Sequence, residues 1–243
     1  MNTYTAKTIR DLALEHPSSP AVLESLGVDY CCGGDLPFEE ACAKAGHSAE
    51  AVLQNLQQAA SAFEARQQTS TDWKVQPLAD LIDHITRSHH AYLRAASPRL
   101  LELANKVASK HGPNHPALLQ VEETLAALAE ELSVHLLKEE QILFPYVTRL
   151  EESALQREPA PPSACFGSIE NPIRMMMSEH DSAGEALREL RRLTDNYAIP
   201  ADACMSYRAF FQGLIELEAD LHQHIHLENN ILFPRAIELT RGK

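Results

Sequence analysis

Two segments of this chain nearly repeat each other 89 residues apart: His135-Leu-Leu-Lys-Glu139-Glu-Gln-Ile-Leu-Phe-Pro145 and His224-Ile-His-Leu-Glu228-Asn-Asn-Ile-Leu-Phe-Pro234. In each, a His and a Glu stand four apart, on one face of an α-helix. The apolar stripe leading into the first is Leu118, Val121, Leu125, Leu128 and Leu132, and it continues through His135, Glu139 and Ile142. Tyr207, Phe210, Leu214, Leu217, Leu221, His224, Glu228 and Ile231 do the same in the second. Steps of three and four mark a core-facing seam. The His and the Glu therefore sit where the pattern demands apolar residues. Burying an unpaired carboxylate costs several kcal/mol, so two such Glu, each with a His, require a cation.

Two further helical patterns carry a His on their own stripe. His90 leads to Leu93, Leu100 and Val107, while His180 lies between Ile173 and Met176 on one side and Leu187 and Leu190 on the other. His90 precedes His135 by 45 residues and His180 precedes His224 by 44. The chain thus reads as two helical hairpins, each contributing His, then His-x-x-x-Glu. The helices are expected over roughly 77–109, 115–150, 171–196 and 201–240, with His111-Gly112-Pro113, the Pro-rich stretch 152–169 and Pro200 as breaks. Pro145 and Pro234 are expected to kink or end their helices.

Six candidate metal ligands follow: His90, His135, Glu139, His180, His224 and Glu228. Four imidazoles and two carboxylates exceed the needs of one tetrahedral zinc. If each Glu bridges two metals and each metal takes two His, eight of the twelve positions of two octahedra are filled. A bridging oxide or hydroxide fills two more, and one position per metal stays open. A bridged pair in a four-helix bundle favours iron, although the His-x-x-x-Glu order is not the Glu-x-x-His of ferritin-like sites. His84, His89, His222 and His226 are read as exposed or outer groups, with His89 as a spare ligand. His16, His47, His111 and His115 fall at turns and are given no role.

The remaining composition narrows the class. Few aromatics (6%), only 9 Gly and segments rich in Ala, Leu and Glu favour an all-α fold. A formal charge of −13 argues against binding nucleic acid or anionic membrane. No apolar run reaches the length of a membrane span and the N-terminus has no secretory core, so a cytoplasmic location is expected. Five cysteines, two of them adjacent, do not form a disulfide framework. Residues 1–67 read as a small helical unit, with Ser48 opening a helix through about Arg66. Gln67–Gln76 reads as a linker anchored by Trp73, and 77–243 as the bundle.

The chain resembles the di-iron proteins that repair iron–sulfur clusters, the RIC or ScdA/YtfE-type family. These join an ScdA-like N-terminal domain to a hemerythrin-like up-down four-helix bundle. The resemblance covers nearly the whole chain. It rests on Asp29-Tyr30-Cys31-Cys32-Gly33-Gly34, Ile82-Asp83-His84, Ser178-Glu179-His180-Asp181 and the two His-x-x-x-Glu segments running on to Ile-Leu-Phe-Pro. It implies the six residues above as iron ligands, with both Glu bridging. At position 89 the family carries a non-ligand aromatic, and the stripe selects His90 over His89.

The resemblance also implies partners: damaged iron–sulfur proteins, with nitric oxide or oxygen as the small ligand, and a monomer or homodimer. Iron donation after nitrosative or oxidative stress is the leading reading. A nitric oxide or oxygen sensor and a di-iron nitric oxide reductase are the alternatives. Cys31 and Cys32 read as a redox or iron-handling pair, exposed by a tight turn at Gly33-Gly34. Glu131, one turn before His135, and Glu179, directly before His180, are expected to line a path to the metals or accept protons. Cys42, Cys165 and Cys204 are given no role.

Overall fold

The computed structural model describes residues 7–16, 18–31, 33–65, 71–156 and 166–241. Helices dominate, and no strand forms among the described residues. The chain divides into two compact units: Met1–Pro77 with His222–Arg235, and Leu78–Leu221 with Ala236–Lys243.

Up to Pro77, the described residues of the first unit form α1 (Ile9–Glu15), α2 (Ser19–Ser25), α3 (Phe38–Lys44) and α4 (Ala49–Ala65). Helices of seven residues are too short to stand alone, so local caps and a shared core hold them. Thr8 and Asp11 close a capping box at the start of α1. Ser48 Oγ accepts from Ala51 N at 3.2 Å, capping α4. Ile9, Leu12, Leu23, Val28, Tyr30, Phe38, Cys42 and Val52 form the core. The segment after α4 meets this unit through Trp73, whose carbonyl accepts from Arg235 Nη1 at 2.9 Å.

Beyond Pro77 the chain forms long helical rods, of which only the stretch His222–Arg235 is grouped with the first unit. The first runs α5 (Leu78–His84), π1 (Ile85–His90), α6 (Ala91–His111). The second runs α7 (Ala117–Lys138), π2 (Glu139–Leu143), α8 (Phe144–Leu155). The third is α9 (Glu170–Leu193), and the fourth α10 (Met205–Leu227), π3 (Glu228–Leu232), α11 (Phe233–Arg241). Leu93, Leu100, Val107, Leu118, Val121, Leu125, Leu128, Leu187, Leu190, Phe210, Leu214, Leu217 and Leu221 interlock as one core, the stripes read from the sequence. Glu151 accepts from Leu78 N at 2.7 Å and Ala79 N at 3.0 Å, satisfying two N–H groups at the start of the first rod.

Three expectations are corrected. Neither Pro145 nor Pro234 ends its helix, which continues through α8 and α11. A π turn precedes each: Phe144 N donates to Glu139 O and Phe233 N to Glu228 O, five residues back. This wide turn carries the helix past a proline that has no N–H to return four residues back. The extra residue also shifts the register. Ile142, placed in the stripe by periodicity, is 46% exposed, while Leu143 and Phe144 are buried instead. The third helix stops at Leu193, short of 196. Asp195, Asn196 and Tyr197 then take φ of 48°, 55° and 60°, a left-handed run that ordinary side chains rarely adopt. Thr194 Oγ1 supports it by accepting from Tyr197 N at 3.0 Å, and the Tyr197 ring returns to the core.

Candidate metal centre

Each of the six stripe residues is buried: His90, Glu139 and Glu228 at 0–1% exposure, and His135, His180 and His224 at no more than 3%. They fall into two groups able to hold a cation, His90, Glu139, His224, Glu228 and His135, Glu139, His180, Glu228. Within each group the ligand atoms lie within 4.8 Å of one another. Both carboxylates belong to both groups, and each group adds its own pair of histidines.

The inner atoms converge. Glu139 Oε2 is 3.4 Å from His90 Nε2 and 3.4 Å from His135 Nε2. His135 Nε2 and His180 Nε2 face each other at 3.1 Å, and His224 Nε2 is 3.1 Å from Glu228 Oε1. Two imidazole nitrogens meeting nose to nose gain nothing from each other unless one carries a proton or both share an ion. The donor set, neutral imidazole with carboxylate, fits iron. Three of the four rods that carry these residues place them in or beside a π turn, a device common at functional sites because it re-aims side chains.

Carboxylates orient the outer nitrogens. Glu140 Oε1 accepts from His90 Nδ1 at 2.7 Å, and Glu179 Oε2 from His135 Nδ1 at 2.9 Å. A proton held at Nδ1 leaves the Nε2 lone pair pointing inward. Burial raises the Glu140 carboxyl, but hydrogen bonds from Arg94 and His90 outweigh it and hold the group below the usual carboxylate range. Glu179 is lowered in the same way, its burial outweighed by Lys138 and His135. Glu140 was missed in the sequence, where it reads as one more surface acid beside Glu139; its partner His90 lies 50 residues away.

Glu131 is exposed and lines a groove of about 550 Å³ with Glu179, Lys138, His135 and His180. His89 is 4% exposed, joins neither ligand group, and its Nδ1 meets Asp220 Oδ1 at 2.9 Å. His226, also read as exposed or an outer group, is buried with its Nδ1 2.8 Å from Asn230 Nδ2. His222 is half-buried and meets Glu24 Oε2 at 2.6 Å.

Cys32 lies outside the described residues. Cys31 is 3% exposed, so the turn buries this thiol rather than presenting it. The reason is Asp29, whose Oδ1 accepts from Cys31 N at 3.2 Å, Gly33 N at 3.0 Å and Cys31 Sγ at 3.5 Å. Asn229 Nδ2 then reaches the Cys31 carbonyl at 3.4 Å and Asn230 Nδ2 the Tyr30 carbonyl at 3.1 Å. Asn230 Oδ1 also accepts from Arg10 Nε at 2.6 Å. Gly34 is small for this contact, since a Cβ there would sit 3.2 Å from Asn230 Oδ1.

Bundle and donor set together define a helical cation-binding protein. Residues 80–236 match the Hemerythrin HHE cation binding domain, and residues 5–60 match ScdA_N, a domain of unknown function (DUF542). The chain is similar along nearly its whole length to proteins named iron–sulfur cluster repair protein YtfE from Salmonella paratyphi B, Salmonella newport and Salmonella heidelberg. Each is 37% identical over 236 residues, covering 96% of this chain and 98% of the relative. The chain belongs to this family of hemerythrin-domain iron–sulfur cluster repair proteins. No helix is long and apolar enough to cross a membrane among the described residues.

Proposed function

We propose that this protein restores iron–sulfur clusters damaged by nitrosative or oxidative stress, holding two irons and supplying iron from them. His90 and His224 would hold one ion and His135 and His180 the other, with Glu139 and Glu228 between both. The observation that carries the reading is the sharing of both buried carboxylates by two His pairs. The names of the relatives support the repair role. Bound iron would supply Lewis-acid and one-electron chemistry, with nitric oxide as the small ligand.

The chain's own residues then have distinct tasks. Glu140 and Glu179 fix the tautomer and aim of His90 and His135. The groove floored by His135 and His180 gives solvent and small solutes a way toward the second ion, past Glu131 and Glu179. Because Nε2 must be unprotonated and both Glu ionised to bind metal, acid releases it.

The full chain is loaded with iron without oxygen, its iron counted, and then mixed with a cluster enzyme inactivated by nitric oxide. Two irons per chain and recovered activity are expected, both lost in His135→Ala and Glu228→Ala. A single zinc with no iron, or equal recovery with metal-free protein, overturns the reading. Turnover of nitric oxide to nitrous oxide with a reductant, without recovery of the cluster enzyme, would assign a reductase instead.

A further inference from the structure

A second cluster of reactive side chains lies in the larger unit, at the end of the bundle remote from His90. His111 follows His90 by 21 residues along one rod, roughly 30 Å at the rise of an α-helix. His111 ends α6, and Cys204 stands immediately before α10. The chain turns at Pro200 so that Cys204 Sγ comes 3.2 Å from His111 Nε2. His111 is 8% exposed, its ring held edge-on against Tyr207 at 5.3 Å. Beside it His115 Nε2 meets both oxygens of Asp202, at 3.0 and 3.1 Å. Cys204 itself is partly open to solvent.

We propose that Cys204, paired through its sulfur with the buried His111 imidazole, exchanges with low-molecular-weight disulfides and is a site of reversible thiolation. Three features carry this. The imidazole is immobilised by burial and aims a nitrogen at the sulfur. The start of α10 complements a thiolate at Cys204, because a helix N-terminus favours an anion. The other described cysteines are unsuited: Cys31 and Cys42 are buried, and burial pushes the Cys42 thiol up to about 11. The backbone N–H of Tyr207 first, then His111, draw the Cys204 thiol down to about 7. The titratable groups around the pair are His115 and Asp202 on the connecting turns and Tyr207 on α10.

In the exchange, Cys204 Sγ attacks one sulfur of RS–SR. The Sγ–S bond forms as the S–S bond breaks, and the proton given up by the Cys204 thiol passes to the departing RS⁻. Cys204 ends as a mixed disulfide and one half of the reagent as RSH. A second small thiol reverses the step.

Rate at one pH discriminates poorly. A thiol of pKa about 7 is about 16-fold more ionised at pH 7 than one of about 8.5, but its lower nucleophilicity returns about fivefold of that. The pH profile is the better readout. Full-length, iron-loaded protein is treated with oxidised glutathione and with an aromatic disulfide across pH 5.5–9.5, and the thiolated peptide is identified by mass spectrometry. Modification at Cys204 with a midpoint near pH 7 is expected. In His111→Gln the midpoint should rise while iron content stays unchanged, and Cys204→Ser should remove the fast phase. A native midpoint near 8.5, or glutathione found on Cys31 or Cys42 with Cys204 unmodified, overturns the proposal without reference to any variant's folding. So does a midpoint unchanged in a folded His111→Gln.

Discussion

Removing the Glu140 carboxylate tests how the bundle aims the proposed metal ligands. Glu140 Oε1 takes the Nδ1 proton of His90 at 2.7 Å, and its other oxygen accepts from Arg94 Nη2 at 2.8 Å. His90 is fully buried and Arg94 half exposed, so the two contacts differ greatly in worth. In Glu140→Ala, His90 keeps its place in the stripe but loses the group that fixes its tautomer and tilt. Loss of such a carboxylate–histidine contact lowers metal affinity about 10- to 100-fold, or about 1.4–2.7 kcal/mol. Arg94→Ala removes an ion pair between partly exposed groups, worth about 0–1 kcal/mol, and should change affinity by no more than a few-fold. Glu140→Gln retains an oxygen that can accept from Nδ1, so it should lie between the two. The assay is competition for iron against a chelator, with circular dichroism confirming that each variant keeps its helices. Equal iron retention in Glu140→Ala and the native protein, or a larger loss in Arg94→Ala, would refute the reasoning.

Two other outcomes follow from burial. His226 is pushed down to about 4, by burial first and then by Arg10. Its neutral form is favoured by the fold, so stability is complete above about pH 6.5 and falls as pH drops toward 4, by on the order of 3 kcal/mol over that window. Thermal melting should show this slope, reduced in His226→Leu. Leu214 is fully buried within the core, and Leu214→Ala should cost about 2–5 kcal/mol, read from denaturant midpoints; a loss below about 1 kcal/mol would mean the bundle collapses onto the vacancy.

The sequence by itself determined the helical class, the seams and the six inward-facing His and Glu residues. These depend on periods of three and four along single helices, which any reader of the chain can count. Its internal duplication went further, since His-to-His spacings of 45 and 44 residues implied paired hairpins. What period cannot carry is a change of period. The π turn at Glu139–Leu143 moved Ile142 out of the core, while Ile231 at the matching place in Glu228–Leu232 stays buried at 6%. Contacts between distant segments were equally hidden. Glu140 with His90, Asn229 with Cys31, and His111 with Cys204 are separated by 50, 198 and 93 residues. Glu140 and Asn229 stand at matching places in the repeat, yet one orients a histidine and the other holds the turn carrying Cys31. Each side chain takes its role from the group that packing brings to it. Local pattern decides which face a residue shows, and only the tertiary structure decides what that face meets.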